Sequence, residues 1–231
     1  MAADWLRAGG DVRAAGGAQP EWGDVAGRYE AWYVTPRGRR YDAVEKRLMA
    51  GLLGPARGRR LLDIGCGTGH FTRWFRELGW EVWGVDLEER MLARARELSA
   101  EDIIYRRGDA QKLPFADKSF HVSVMVTTLE STHSPELALL EAFRVSQERI
   151  VLGILNSLSL LAFWRRIRAI YRPTIFSKTR FYSGPTVCAM IRKVSRRLGV
   201  PVVVRMASWR RIPYGQIPLG AFYALAVEMK K

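Results

Sequence analysis

The sequence predicts an α/β fold in which a mostly parallel sheet is covered by helices on both faces. Three observations carry this. An apolar run ends in closely spaced glycines at "LLDIGCGTG", residues 61–69. Short apolar runs alternate with amphipathic stretches from residue 59 to 155. The glycine loop, Asp86 and Asp109 stand at the ends of the first three apolar runs. Strand, helix, strand, helix in this rhythm means crossover connections and a sheet buried on both faces.

The elements follow in order. Residues 1–20 are rich in glycine and alanine and close at Pro20, which predicts a flexible tail. Residues 21–58 predict two short helices that form a lid. One lies near Asp24 to Val34 and stops before Pro36; the other lies near Tyr41 to Leu53 and stops at Gly54 and Pro55. The core, residues 59–155, opens with the strand "RRLLDIG" and the helix "TGHFTRWFRELG". "WEVWGVD" is the next strand and "EERMLARARELS" the next helix. "IIYRRGD" and "FHVSVMVTT" are strands, and "SPELALLEAFRVS" is a helix with Ser134 as N-cap and Pro135 at its first position. "RIVLGIL" is a further strand. Residues 156–231 form a basic cap segment and the final strands of the same domain.

Composition narrows the class. The chain has 231 residues, 48% hydrophobic and 26% charged, enough apolar material for a sizeable core. No run of 18 uncharged apolar residues predicts a membrane span, and the first residues do not resemble a signal peptide. Cys66 and Cys188 have no pairing pattern and fit a reducing compartment, so a cytoplasmic protein is expected. The net charge of +14 is uneven. Arg144 to Arg211 holds 15 Lys and Arg against one acid, Glu148, so that segment carries 15 − 1 = +14 and the remainder is neutral. Such a segment suits anionic partners.

Glycine loses more conformational freedom on folding than any other residue, so Gly65, Gly67 and Gly69 call for a physical reason. They lie where a strand ends and a helix begins, where free N–H groups favour a ligand. The spacing is G-x-G-x-G, not the G-x-G-x-x-G of a nicotinamide site, and the lysine of a phosphate-binding loop is absent. Asp86 is placed to accept the two hydroxyls of a ribose, and Asp109 an adenine amino group, with the Ala110 N–H for a ring nitrogen. Taken singly, each also reads as a tight turn, an N-cap or a turn aspartate.

Together these stretches, with "GVDLEERMLARAR" and "GDAQKLPFADKSFHVSVMVTTLE", resemble a class I S-adenosylmethionine-dependent methyltransferase. The resemblance covers residues 59–155 and is nearest the type 11 group that includes ubiquinone and menaquinone C-methyltransferases. It implies a Rossmann-like seven-stranded sheet of order 3-2-1-4-5-7-6 with the last strand antiparallel, residues 200–229 supplying the final two strands. It implies S-adenosylmethionine as cofactor: Gly65, Cys66 and Gly67 near its methionine part, Asp86 on the ribose, Leu87 and Met91 flanking the adenine, Asp109 and Ala110 on its edge, and Thr127 facing the methionine part. Asp63 is expected to tether the loop or to reach the cofactor amino group through water. The sequence departs from the group at "RVSQERIVL", where many relatives carry a Pro-Gly-Gly turn, and at "TTLESTHS", where many have a histidine or aromatic pair.

Methyl transfer asks for alignment, exclusion of water and, for some acceptors, a base. His133 is the best-placed base candidate and Glu130 the next; His133 also reads as a surface histidine. His121 reads as packing, and His70 lines the helix after the glycine loop. No zinc spacing occurs, so no metal is expected. Tyr29, Trp32 and Tyr33 are the substrate or lid candidates; Trp32 also reads as packing on the sheet. A small molecule, lipophilic or not, is the expected acceptor, with RNA or protein as the alternative. For the basic third three readings stay open: a helix from Ser157 to Tyr171 lying on an anionic membrane surface, a nucleic-acid surface, and a solvated cap over the site. No feature bears on oligomeric state.

Overall fold

The computed structural model describes residues 26–157, 180–208 and 222–230. The tail at residues 1–20 and the candidate membrane helix beyond Ser157 lie outside them.

Helices α1 (Ala26–Tyr33) and α2 (Pro36–Leu53) precede the sheet. Then come β1 (Arg60–Ile64), α3 (His70–Glu77), β2 (Glu81–Asp86), α4 (Glu89–Leu98), β3 (Ile104–Arg107) and β4 (Phe120–Val126). They are followed by α5 (Pro135–Val145), β5 (Ser146–Leu155), α6 (Gly184–Leu198), β6 (Val202–Ser208) and β7 (Phe222–Met229). The seven strands form one sheet of order β3-β2-β1-β4-β5-β7-β6, as expected. β7 runs antiparallel to both of its neighbours, β5 and β6, while β1 to β5 pair in parallel.

Strand residues alternate between two cores. Leu62, Ile64, Ile150, Leu152, Tyr223 and Leu225 face α5 and α6, where Leu139, Phe143, Val187 and Ile191 close the layer. Leu61, Val122, Val124, Val151, Phe222 and Ala224 face the opposite way, against Leu48, Met49, Phe71 and Phe75 of α2 and α3. Arg149 ties α2 to the sheet: its guanidinium donates to the Leu52 carbonyl at 2.9 Å, in the last turn of α2, and to Glu228 on β7 at 2.9 Å. Among the described residues no helix is long and apolar enough to cross a membrane.

Two boundaries differ from expectation. α2 starts at Pro36, not near Tyr41. The Thr35 hydroxyl accepts from the Gly38 N–H at 2.9 Å and Pro36 takes the first turn, so this proline opens a helix as well as ending one. β5 begins at Ser146, three residues before "RIVLGIL", because α5 runs into it without a turn. The last carbonyls of α5 would otherwise lack partners. Lys118, in the loop before β4, supplies two: its N–H donates to the Arg144 carbonyl at 2.9 Å and its ammonium to that of Phe143 at 3.1 Å, and the ammonium also donates to the carbonyl of Ser146, the first residue of β5, at 2.7 Å. Ser134 stands at the N-cap of α5, but its side chain makes no capping bond.

Lys118→Ala removes both of these charged hydrogen bonds at a partly solvated site. Urea unfolding should show a loss of about 1 kcal/mol at unchanged slope; no change in midpoint would mean that water caps α5 equally well.

Candidate active site

The glycine turn is built by the strands around it. Gly65, Gly67 and Gly69 have φ of 71°, 55° and 76°, the left-handed region. The Gly65 and Cys66 N–H groups both donate to the Val85 carbonyl, at 2.7 and 3.0 Å. A Cβ on Gly65 would collide with the Thr128 side chain, and one on Gly69 with the Tyr105 hydroxyl. At Gly67 a Cβ would meet no protein atom within 4 Å, and this residue lines a cavity. Neighbouring side chains thus exclude a Cβ at Gly65 and Gly69, whereas at Gly67 only the left-handed backbone favours glycine.

That cavity, of about 320 Å³, opens at the carboxyl ends of β1 to β4. Its walls bring together all nine residues that the sequence nominated for the cofactor: Gly65, Cys66, Gly67, Asp86, Leu87, Met91, Asp109, Ala110 and Thr127. Asp86 is fixed by the backbone, its Oδ2 accepting from the Gly67 N–H at 2.8 Å and its Oδ1 from the Glu88 N–H at 2.9 Å. Burial raises its pKa above the ordinary carboxylate value, against these bonds. Each oxygen keeps a further lone pair. Asp109 accepts from the Gln111 N–H at 2.8 Å, and the Gln111 amide oxygen accepts from the Ser134 N–H at 2.8 Å, so the third strand end is tied to the start of α5. Asp63 is buried under the loop and accepts from the Thr72 hydroxyl of α3 at 2.7 Å. Burial pushes it up to about 7.

Helix α1 lies against this floor. Glu30 accepts from the Thr68 hydroxyl at 2.5 Å and from the Arg73 guanidinium at 3.0 Å through each oxygen. Tyr29 and Tyr33 line the cavity, one helical turn apart, with the Tyr33 hydroxyl donating to that of Tyr29 at 3.3 Å. Burial raises both phenols, Tyr29 to about 12. Trp32 is not among the lining residues; it packs against Tyr41, ring centroids 6.2 Å apart.

The end of β4 supplies the remaining wall. Thr127 has φ of 54°, costly for a β-branched residue, and its N–H donates to Gly153 at 2.7 Å. The Thr128 hydroxyl donates to the Ile64 carbonyl at 2.8 Å. Ser131, Thr132 and the exposed His133 reach the rim. Glu130 does not line the cavity. It is 1% exposed, and its Oε1 accepts from the Leu155 N–H at 2.7 Å while Oε2 has no hydrogen-bond partner. Burial, opposed by the Leu155 bond, pushes its carboxyl up to about 8. Of the two base candidates, only His133 reaches the cavity. Among the described residues no group of three or more His, Cys, Asp or Glu is arranged for a metal. Gln111, Thr128, Phe71 and Glu88 line the cavity without having been nominated from sequence.

Residues 62–149 match the family model described as a methyltransferase domain. The chain is 36% identical over 138 residues to malonyl-[acyl-carrier protein] O-methyltransferase of Pectobacterium atrosepticum, covering 57% of this chain and 53% of that protein. It is 38% identical over 106 residues to demethylmenaquinone methyltransferase of Tropheryma whipplei, covering 45% and 44%. The chain thus spans about half the length of these relatives. Among solved structures, a SAM-dependent methyltransferase from Thermotoga maritima superposes with a TM-score of 0.71 at 26% identity, covering 90% of this chain and 98% of that one.

Two outcomes follow from this geometry. Gly65→Ala adds left-handed strain and a clash with Thr128, so the melting curve should report a loss of about 2 kcal/mol or more; a wild-type melt would mean that the Thr128 contact yields freely. Glu130 has its carboxyl raised from near 4.5 unfolded to about 8 folded. The folded state therefore holds the extra proton, and this group's contribution is complete below pH 4.5 and is lost as pH rises towards 8. Glu130→Gln keeps the acceptor for Leu155, so stability measured from pH 5 to 8 should fall less steeply with pH than in the wild type. Parallel curves would remove Glu130 as the cause.

Proposed function

We propose that the chain, which carries an S-adenosylmethionine-dependent methyltransferase domain, moves a methyl group from that cofactor to a small, lipophilic acceptor. The observation that carries the reading is one cavity whose floor joins the glycine turn to Asp86 and Asp109 on successive strand ends. Its volume lies near the lower end of the roughly 300–1,000 Å³ of small-ligand sites. The residues suit the cofactor chemically: a backbone without side chains at Gly67, and a carboxylate at Asp86 with free lone pairs. When bound, the cofactor supplies an electrophilic methyl group on a positively charged sulfur.

The chain's own part is placement. Asp86 receives the ribose hydroxyls, Leu87 and Met91 flank the adenine, and Asp109 with the Ala110 N–H reads its edge. Gly65, Cys66 and Gly67 pass beneath the methionine part, and Thr127 turns towards it. Cys66 is a wall residue and not a nucleophile, since burial drives its thiol well above the ordinary range. Tyr29 and Tyr33 on α1 cover the site and exclude water. His133, at the rim, takes the proton from acceptors that lose one; a thiolate or a free amine needs no base. Relatives named for malonyl-[acyl-carrier protein] and demethylmenaquinone support an acceptor that is a small molecule or an acyl group held on a carrier protein. In this reading the chain works in the cytoplasm, and its basic third meets an anionic membrane surface from which a lipophilic acceptor is drawn.

Calorimetry with S-adenosylhomocysteine tests the cofactor site. The wild type should bind, and Asp86→Ala should weaken binding at least tenfold, since hydrogen bonds to a charged acceptor are each worth about 1.5–3 kcal/mol. Equal affinity in a folded variant would move the ribose away from Asp86.

A further inference from the structure

The cavity has an unusual charge balance. Among the described residues that line it, Asp63, Asp86, Glu88 and Asp109 are acids, and none is Lys or Arg. Only His70 and His133 can bring a positive charge to the wall. The cofactor's sulfonium and ammonium groups suit such a lining, but its amino-acid carboxylate does not. That group needs a donor in a field set by four carboxylates.

His70 is built to be that donor. It is the first residue of α3, directly after the glycine turn, and its side chain is 15% exposed. Its Nε2 meets Asp42 Oδ1 on α2 at 2.7 Å. Its ring lies flat on Tyr33 of α1, centroids 3.5 Å apart and planes 8° from parallel, and stands edge-on to Phe71 at 5.3 Å. Three helices thus hold one imidazole in one orientation. Burial pushes the Asp42 carboxyl up, but hydrogen bonds from His70 and Lys46 outweigh this and hold it below the ordinary value, so Asp42 is anionic at neutral pH. With the Nε2–H given to Asp42, Nδ1 is the ring nitrogen left for a ligand, and it donates to a carboxylate when the ring is an imidazolium. His133, by contrast, is exposed at the rim, and its backbone carbonyl accepts from the Arg180 guanidinium at 3.4 Å.

We propose that His70, oriented by Asp42 and by the Tyr33 ring, binds the carboxylate of the cofactor's amino-acid end. His70 is then a positioning group for the cofactor tail: it fixes how far the sulfur lies from the acceptor. Asp42 and Tyr33 act only through it. Tyr33 and His70 also link the lid to the ligand, because the ring that α1 covers is the ring that the ligand contacts.

The proposal rests on the cofactor reading above, and two ligands keep the two apart. S-adenosylhomocysteine carries the carboxylate; 5′-methylthioadenosine has the same nucleoside and sulfur without the amino-acid tail. His70→Phe keeps an aromatic ring for Tyr33 and removes the donor. Calorimetry should show S-adenosylhomocysteine weakened about tenfold or more by this variant, with 5′-methylthioadenosine unchanged within twofold. Asp42→Asn keeps the imidazole and removes the charge behind it; it should show a smaller loss, again confined to S-adenosylhomocysteine, and it serves if Phe at 70 does not fold. An equal loss for both ligands would mean that His70 merely shapes the wall, and no loss for either would mean that the carboxylate lies elsewhere; both overturn the proposal while leaving the cofactor reading intact. No binding of S-adenosylhomocysteine by the wild type would overturn both.

Discussion

The contact between Gly65 and Thr128 is the constraint on which this structure turns. Two adjacent parallel strands, β1 and β4, end side by side, and the chain leaving each must go somewhere different. The strand-end carbonyl of Ile64 is taken by the Thr128 hydroxyl, while the methyl and hydroxyl of that same residue fill the space a side chain at 65 would occupy. The first chain is thereby forced into a left-handed turn that runs towards β2, where the Val85 carbonyl and the Asp86 carboxylate receive its N–H groups. The second turns sharply at Thr127 and runs over the sheet edge to His133. The space between the two departing chains is the cavity. It exists because of how strands are packed, before any ligand is considered.

The helices before the sheet complete the enclosure through charge, not through apolar burial alone. Glu30 grips Arg73 with both oxygens and takes the Thr68 hydroxyl as well, so α1 is fastened to the two ends of the glycine turn's own helix start. Both partners are about a fifth exposed and the contact uses both carboxylate oxygens, so it holds α1 in one place. Asp42, one helix further on, serves both Lys46 and His70. The site is consequently assembled from parts 30 to 130 in the chain by polar bonds of long sequence range.

That division explains what could be read from the sequence. Strand ends were legible because each couples an apolar run to a glycine or an acid, a local pattern. The order of the sheet, including the antiparallel β7, followed from resemblance and not from periodicity. The start of α2 was missed because Pro36 was weighed as a stop, although Thr35 before it is an N-cap of the favoured kind. Lys118 under the end of α5 and Gln111 between Asp109 and Ser134 gave no local signal; each joins groups more than 20 residues apart. Glu130 and His133 share one loop and both read as base candidates, His133 ahead of Glu130; three positions along a turn put one beneath the sheet edge and the other at the rim. Trp32 lies on the far side of Tyr29 from Tyr33, about 100° round the helix from Tyr33, and packs on Tyr41 of α2 instead of lining the cavity.

Asp86 carries a consequence of a different kind. Its two oxygens are already held by the N–H groups of Gly67 and Glu88, so its rotamer is chosen by the protein alone. On the proposed reading, the ribose meets an acceptor pair whose side-chain entropy was lost when the chain folded, about 0.5–1.5 kcal/mol that association does not have to supply for such a group. The same two bonds mean that the loop cannot shift without dragging the acid, and the acid cannot rotate without loosening the loop. Sequence variation at position 86 is therefore tied to the foldedness of the turn itself: a chain that gave up the ligand would still have reason to keep the aspartate.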